Sequence, residues 1–252
     1  LIPDFGQVQS DNQVLNLSPF EVQFNENRQF FTEGTELFNK ANLFYSRRIG
    51  GTPFNYGNVY DDLSDSEEVI SNPRESRLLN ATKVSGRNEN GLGIGVFNAI
   101  TATSEATIRD TETGNERTVI TDPFTNYNVF VLDQNLWPNS YVSLINTNVW
   151  RAGQAYEANV TGTEFKLATK DNSWNINGVG SVSQKYFSDS TALGHNFTTN
   201  IEKTSGQFNF GIGQNFESHT YDRNDLGFLF NNNENSFYGF AAYNIFEPFG
   251  KF

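Results

Sequence analysis

What most limits the folds open to this chain is its strict two-residue alternation. Across residues 207–216, Phe208, Phe210, Ile212 and Phe216 share one parity, and Asn209, Gly211, Gly213 and Asn215 share the other. Successive side chains of an extended strand point to opposite faces, so this stretch makes one apolar face and one small, polar face. Residues 91–103 repeat the pattern, with Leu92, Ile94, Val96 and Ile100 opposite Gly93, Gly95 and Thr101. Residues 173–187 put Trp174, Ile176, Val182 and Tyr186 on one side, and Asn175, Asn177, Ser181 and Lys185 on the other.

Further strand candidates are 77–87, 117–120, 127–136, 140–150, 157–169, 194–204, 226–230 and 236–246. Turn residues separate them: Asn90–Gly91, Thr113–Gly114, Pro138–Asn139, Asp171–Asn172 and Ser205–Gly206. Roughly ten strands, many longer than the usual five or six residues, predict a meander. Period two alone fits both a soluble sheet over a core and a barrel whose apolar face meets lipid. Three features favour the barrel. The strands are long. Their polar faces carry Gly, Asn, Ser and Thr rather than Lys and Glu. Aromatic residues such as Trp137, Tyr141, Trp150, Tyr186 and Phe187 sit near strand ends, as interfacial girdles do.

Residues 1–76 differ from 77–252. They hold Pro3, Pro19, Pro53 and Pro73 and show little alternation. Phe20, Phe24, Phe31 and Phe38 recur at helical spacing, which predicts one or two helices over 19–38 interrupted by Gly34. The glycines of the alternating part give this segment a place. Glycine weakens a strand unless another backbone or side chain must come close, so Gly93, Gly95, Gly211 and Gly213 are expected to face residues 1–76 packed as a plug. Glycine kinks that curve the sheet are the competing explanation.

Composition narrows the function. The 252 residues carry a net charge of −12, against the basic face a nucleic-acid binder needs. There is no Cys, which removes thiol catalysis and Cys-ligated zinc, and no Met even at position 1, as expected of a processed or partial polypeptide. No apolar run reaches the length of a membrane-spanning helix. Arg47 and Arg48 are candidates for a lumen-facing cation pair that binds an anionic group or locks the plug to barrel carboxylates; the alternative is ordinary ion pairing with Glu21, Glu26, Glu33 or Glu36. Glu33 and Glu36 stand too close in sequence to form a glycosidase acid and base. Asp61, Asp62 and Asp65, in the acidic run DDLSDSEE, are cation candidates without EF-hand spacing. Ser218 and His219 would point to opposite faces of a strand, so no hydrolytic pair is expected there, and no catalytic residue or cofactor is assigned.

The segments PDFGQVQSD (3–11), NLSPFEVQFNENRQFFTEGTELF (16–38) and LFYSRRIGG (43–51) resemble a Bacteroidota family of outer-membrane proteins. So do LLNATKVSGRNENGLGIGVFNAIT (78–101), DLGFLFNNN (225–233) and FEPFG (246–250). In that family a C-terminal domain of unknown function usually follows a family-9-type carbohydrate-binding module. The resemblance implies an all-β fold: an antiparallel up-and-down transmembrane β-barrel, part of a larger barrel, in the bacterial outer membrane. It supplies no reaction. The expected role is non-enzymatic transport, docking or assembly. Outer-membrane lipids are the expected partners, with other outer-membrane proteins or surface glycans as further candidates. The alternative is a soluble all-β carbohydrate-binding or scaffold protein, and a third reading is a membrane-embedded hydrolase.

Overall fold

A computed structural model describes residues 15–18, 21–153 and 155–246. Its chain is all-β and antiparallel. The short strand β1 (Glu67–Ser71) precedes two long ones, β2 (Leu78–Arg87) and β3 (Leu92–Thr101). The hairpin β4 (Ser104–Asp110) and β5 (Glu116–Asp122) then leaves the main sheet and pairs with β1 through β4. The main sheet resumes with β6 (Thr125–Asn135), β7 (Tyr141–Arg151) and β8 (Glu157–Ala168). It continues through β9 (Trp174–Tyr186), β10 (Thr191–Lys203), β11 (Phe208–Glu217) and β12 (Glu234–Tyr243). Its nine strands run in the order β12-β11-β10-β9-β8-β7-β6-β3-β2, an up-and-down meander with one excursion. Among the described residues the sheet is open: β2 and β12 each keep one unpaired edge, and no closed barrel forms.

Tight turns at one end of the sheet use the residues that tolerate left-handed backbone. Gly91 (φ +79°), Asn139 (φ +60°), Asn172 (φ +54°) and Gly206 (φ +81°) join β2 to β3, β6 to β7, β8 to β9 and β10 to β11. The connections at the other end are mostly longer. That from β11 to β12 folds back against the sheet and buries Tyr221, Leu226 and Phe228. Residues 226–230, expected as a strand, belong to this connection. Gly194 on β10 is where it fits: a Cβ there would lie 2.3 Å from the Tyr221 Cα, so only glycine admits the backbone so close.

Of the helices expected over 19–38, the described residues form a single turn; residues 19 and 20 lie outside the described positions. Residues 21–28 carry no helix, and a single turn, α1 (Gln29–Thr32), follows. Extended backbone prevails because this segment's polar groups find partners elsewhere. Both the N–H and the C=O of Phe24 bond to the Tyr45 hydroxyl, at 3.0 Å each. Strand β1 lies before residue 77 yet pairs with β4, so hydrogen bonding crosses the boundary between 1–76 and 77–252.

One face of the main sheet is covered by the N-terminal segment. Phe31, Leu37, Phe38, Ala41, Leu43 and Ile49 share a core with Phe97, Tyr127, Val129, Val131, Ile145 and Val160. Phe97 sits in a ring cluster with Phe30, Phe31, Phe38 and Phe44. The opposite, open face carries Ile94, Val96, Phe130, Leu144, Val182, Phe197, Ile201 and Ile212 as exposed large side chains.

Candidate functional site

Strand parity decides which polar groups the covered face receives. On β7, Val149 enters the core, so Arg151 points the same way at the strand's end. On β9, Ser181 and Ser183 are buried on this face, so Lys185 follows them. The β11–β12 connection lays Asp222 and Asp225 over these two cations. Arg151 meets Asp225 at 2.7 Å, with both side chains about 95% buried. Lys185 lies 2.5 Å from Asp222 and 3.3 Å from the second Asp225 oxygen. The Tyr156 hydroxyl donates to Asp225 at 2.8 Å, and its ring takes both cations on its face, each 4.8 Å from the centroid.

These groups line a cavity of about 350 Å3 that also reaches Arg48, Phe54, Ser76 and Asp122. Burial raises the Asp122 carboxyl above its ordinary range, although the Ser76 hydroxyl and the Phe54 N–H bond to it. Burial also raises the Tyr156 phenol, and the Asp225 charge adds to the effect. A second charged cluster sits near the tight-turn end. Asp133 on β6 is buried and takes Lys40 at 3.1 Å, Arg87 at 2.5 Å and the Ser143 hydroxyl. Nearby, Glu164 accepts the Ala41 N–H and the Tyr141 hydroxyl, each at 2.5 Å. Ala41 has φ +51°, an uncommon state for a residue with a Cβ, and the Glu164 carboxylate holds it there.

The two clusters can clamp a segment to the sheet. Each buried cation of the two clusters is matched by a carboxylate, and two serine hydroxyls, those of Ser76 and Ser143, donate to Asp122 and Asp133. Ser218 Oγ accepts the His195 main-chain N–H at 2.9 Å, and neither histidine ring hydrogen-bonds to it. His195 stacks on Phe216 with ring centres 5.4 Å apart.

The residues singled out from sequence are scattered across the two ends. Arg48 forms a bidentate pair with Glu21, at 2.8 Å for each bond, and reaches the Gly227 carbonyl. Arg47 lies over the Phe24 ring. Glu36 pairs with Arg87 at 3.2 Å, and Glu33 accepts from the Gln29 side chain at 2.7 Å. Arg48 thus takes Glu21, one of the expected carboxylates, rather than Glu33 or Glu36. Among the described residues no three Asp, Glu or His side chains gather as a metal site, and Asp61, Asp62 and Asp65 form no such group.

The four glycines divide. A Cβ on Gly93 would lie 2.8 Å from Leu37, and one on Gly95 would lie 3.2 Å from the Phe38 ring, both in the N-terminal segment. Cβ atoms on Gly211 and Gly213 would instead meet Phe240 at 2.6 Å and Tyr238 at 2.4 Å, rings of the adjacent strand β12. The second pair thus makes room for cross-strand aromatics rather than for the described part of residues 1–76. Arg151, Tyr156, Asp222 and Asp225 were not foreseen. Lys185 was placed on the polar face of its strand, and only the parity of Arg151 gave any hint of a partner.

The chain belongs to the family described as Domain of unknown function (DUF5916), whose model matches residues 1–252. No curated protein and no solved structure matches it.

Proposed function

We propose that the nine-stranded sheet is part of the wall of an outer-membrane β-barrel, with residues 1–76 packed in its lumen. Its role at the bacterial outer membrane is non-enzymatic: transport, docking or assembly. One observation carries this reading. The side of the sheet away from the N-terminal segment exposes large apolar side chains on strand after strand, including Ile212 at 60% and Val182 at 46%. A patch of that breadth on a protein surface calls for a hydrophobic environment. Trp137, Trp150 and Trp174 lie at strand ends with 40–44% exposure, where interfacial rings belong. The two clamped charge clusters support a held plug in place of an empty channel. The resemblance to Bacteroidota outer-membrane proteins supports the location, and the carbohydrate-binding module of those proteins suggests surface glycans as partners.

A second reading, a soluble all-β carbohydrate-binding or scaffold protein, draws on one feature: half-buried asparagines interrupt the open face on β3, β6, β7 and β8. Tryptophan fluorescence separates the two. Reconstituted into vesicles with brominated acyl chains, the protein is expected to show quenching of its tryptophans. A protein that stays in the supernatant without detergent, with unquenched tryptophans, refutes the membrane reading.

A further inference from the structure

The asparagines of the open face form one patch. Asn98, Asn128, Asn148 and Asn159 stand directly opposite one another across β3, β6, β7 and β8. Asn126 and Asn146 lie one step away on the same face. Asn98 donates to Asn126 at 2.6 Å and to Asn128 at 2.8 Å. Asn146 donates to Asn159 at 3.1 Å and to Thr161 at 2.8 Å. Asn148, between the two groups, makes only a 3.5 Å bond to the Ala158 carbonyl. The side-chain N–H groups of Asn126 and Asn128 and the side-chain oxygens of Asn98 and Asn148 meet no partner among the described residues. Val96, Phe130, Leu144 and Trp150 surround the patch and are exposed.

On a wall facing hydrocarbon, unpaired amides cost roughly 2–7 kcal/mol each and must find a partner. We infer that this patch is the contact surface between two copies of the chain in the membrane, an inference that rests on the barrel reading. Three features of the patch select a second copy. An amide both donates and accepts, so a patch of amides is complementary to itself across a two-fold axis. The open-face positions of β3, β6 and β7 carry no charged residue and those of β8 only Glu157, at the strand's first position, so two copies of a chain with net charge −12 meet here with little repulsion. The apolar rim supplies matched contact around the amides.

The Cys-free chain allows a direct test. With Asn148→Cys as the sole thiol, mild oxidation in membranes is expected to link most of the protein as a dimer. Ile212→Cys, on the same face but away from the patch, is expected to stay monomeric. Changing Asn98, Asn128 and Asn148 together to Leu is expected to halve the protein mass measured by light scattering in detergent, with the β-sheet circular dichroism unchanged. The proposal is overturned if Asn148→Cys remains monomeric in the membrane fraction, or if Ile212→Cys links equally well. It is also overturned if the triple Leu variant keeps the parent mass. Fractionation keeps the two readings apart: a dimer through residue 148 in a protein found in the soluble fraction removes the membrane but keeps the contact.

Discussion

The glycines of β3 and β11 look alike in sequence and differ in the structure, so a matched pair of substitutions tests how the N-terminal segment is held. In Gly95→Leu, the new Cβ starts 3.2 Å from two atoms of the Phe38 ring and 3.5 Å from the Leu37 Cβ. Phe38 is fully buried against Phe44 and Phe97 and has nowhere to turn. Overpacking of such a core costs about 1–3 kcal/mol, and that energy falls on the contact between residues 1–76 and the sheet. The open population of the segment should then rise roughly 5- to 150-fold. Proteolysis of a transiently opened state follows that population when reclosing is fast. Trypsin cutting at Arg28, Lys40, Arg47 and Arg48, timed by mass spectrometry, is expected to accelerate by this factor. In Gly211→Leu the clash is with Phe240, which is half exposed on the edge strand and can swing away. Cutting before residue 77 should stay at the parent rate. Equal acceleration in both variants, or none in Gly95→Leu, would refute the idea that the β3 glycines make room for this segment.

Two further outcomes follow from the charged groups. Arg151→Met leaves the buried Asp225 facing only Lys185 and Tyr156, and should cost about 3–5 kcal/mol in thermal unfolding. Arg151→Met with Asp225→Leu should recover most of that loss, and a double variant no better than the single would show that the pair is not a unit. Glu26 is pushed up by burial, but bonds from Arg28 and Ser46 outweigh this and hold it below its ordinary 4.5. Its ionised form therefore contributes stability that is complete above pH 4.5 and is lost as the pH falls through the depressed value. Glu26→Gln should be less stable than the parent at neutral pH, with the gap closing in acid; a gap that stays constant on acidification contradicts this.

Alternation revealed the strands well where the two faces differ in chemistry. On β9 and β11 one parity is mostly aromatic or branched and the other mostly Gly, Asn or Ser; on β3 the contrast holds only at its start, because Phe97 lies on the face of Gly93 and Gly95, and Asn98 on that of Ile94 and Val96. On β6 and β7 both parities hold apolar residues. Tyr127, Val129 and Val131 oppose Phe130 and Leu132, and the covered face takes the first set, leaving Asn126 and Asn128 outside beside Phe130 and Leu132. Period two says that two faces exist; it does not say what each touches. Strands β1 and β4 escaped notice because they are short and charged and belong to a separate small sheet. The apolar run at 226–230 looked like a strand because burial of Leu226 and Phe228 needs no ladder when a loop lies against a sheet.

The charged clusters were out of reach for a different reason. Arg151 and Asp225 are 74 residues apart, and their meeting requires the register of β7, the fold-back of the β11–β12 connection and the glycine at 194 that lets Tyr221 settle. No local pattern encodes such a coincidence; each residue alone reads as a solvated strand end or loop. Yet both clusters do the same thing at opposite ends of the covered face: a carboxylate buried with its cation pins one irregular segment to the sheet. Lys40 on Asp133 pins the N-terminal segment, and Asp225 on Arg151 pins the β11–β12 connection. A segment meant to leave easily would be held by exposed pairs, which contribute little. Pairs buried this deeply are costly to break one partner at a time, so release of either segment must separate both members together and rehydrate them. That makes the covered face a place where opening, if it occurs, is concerted.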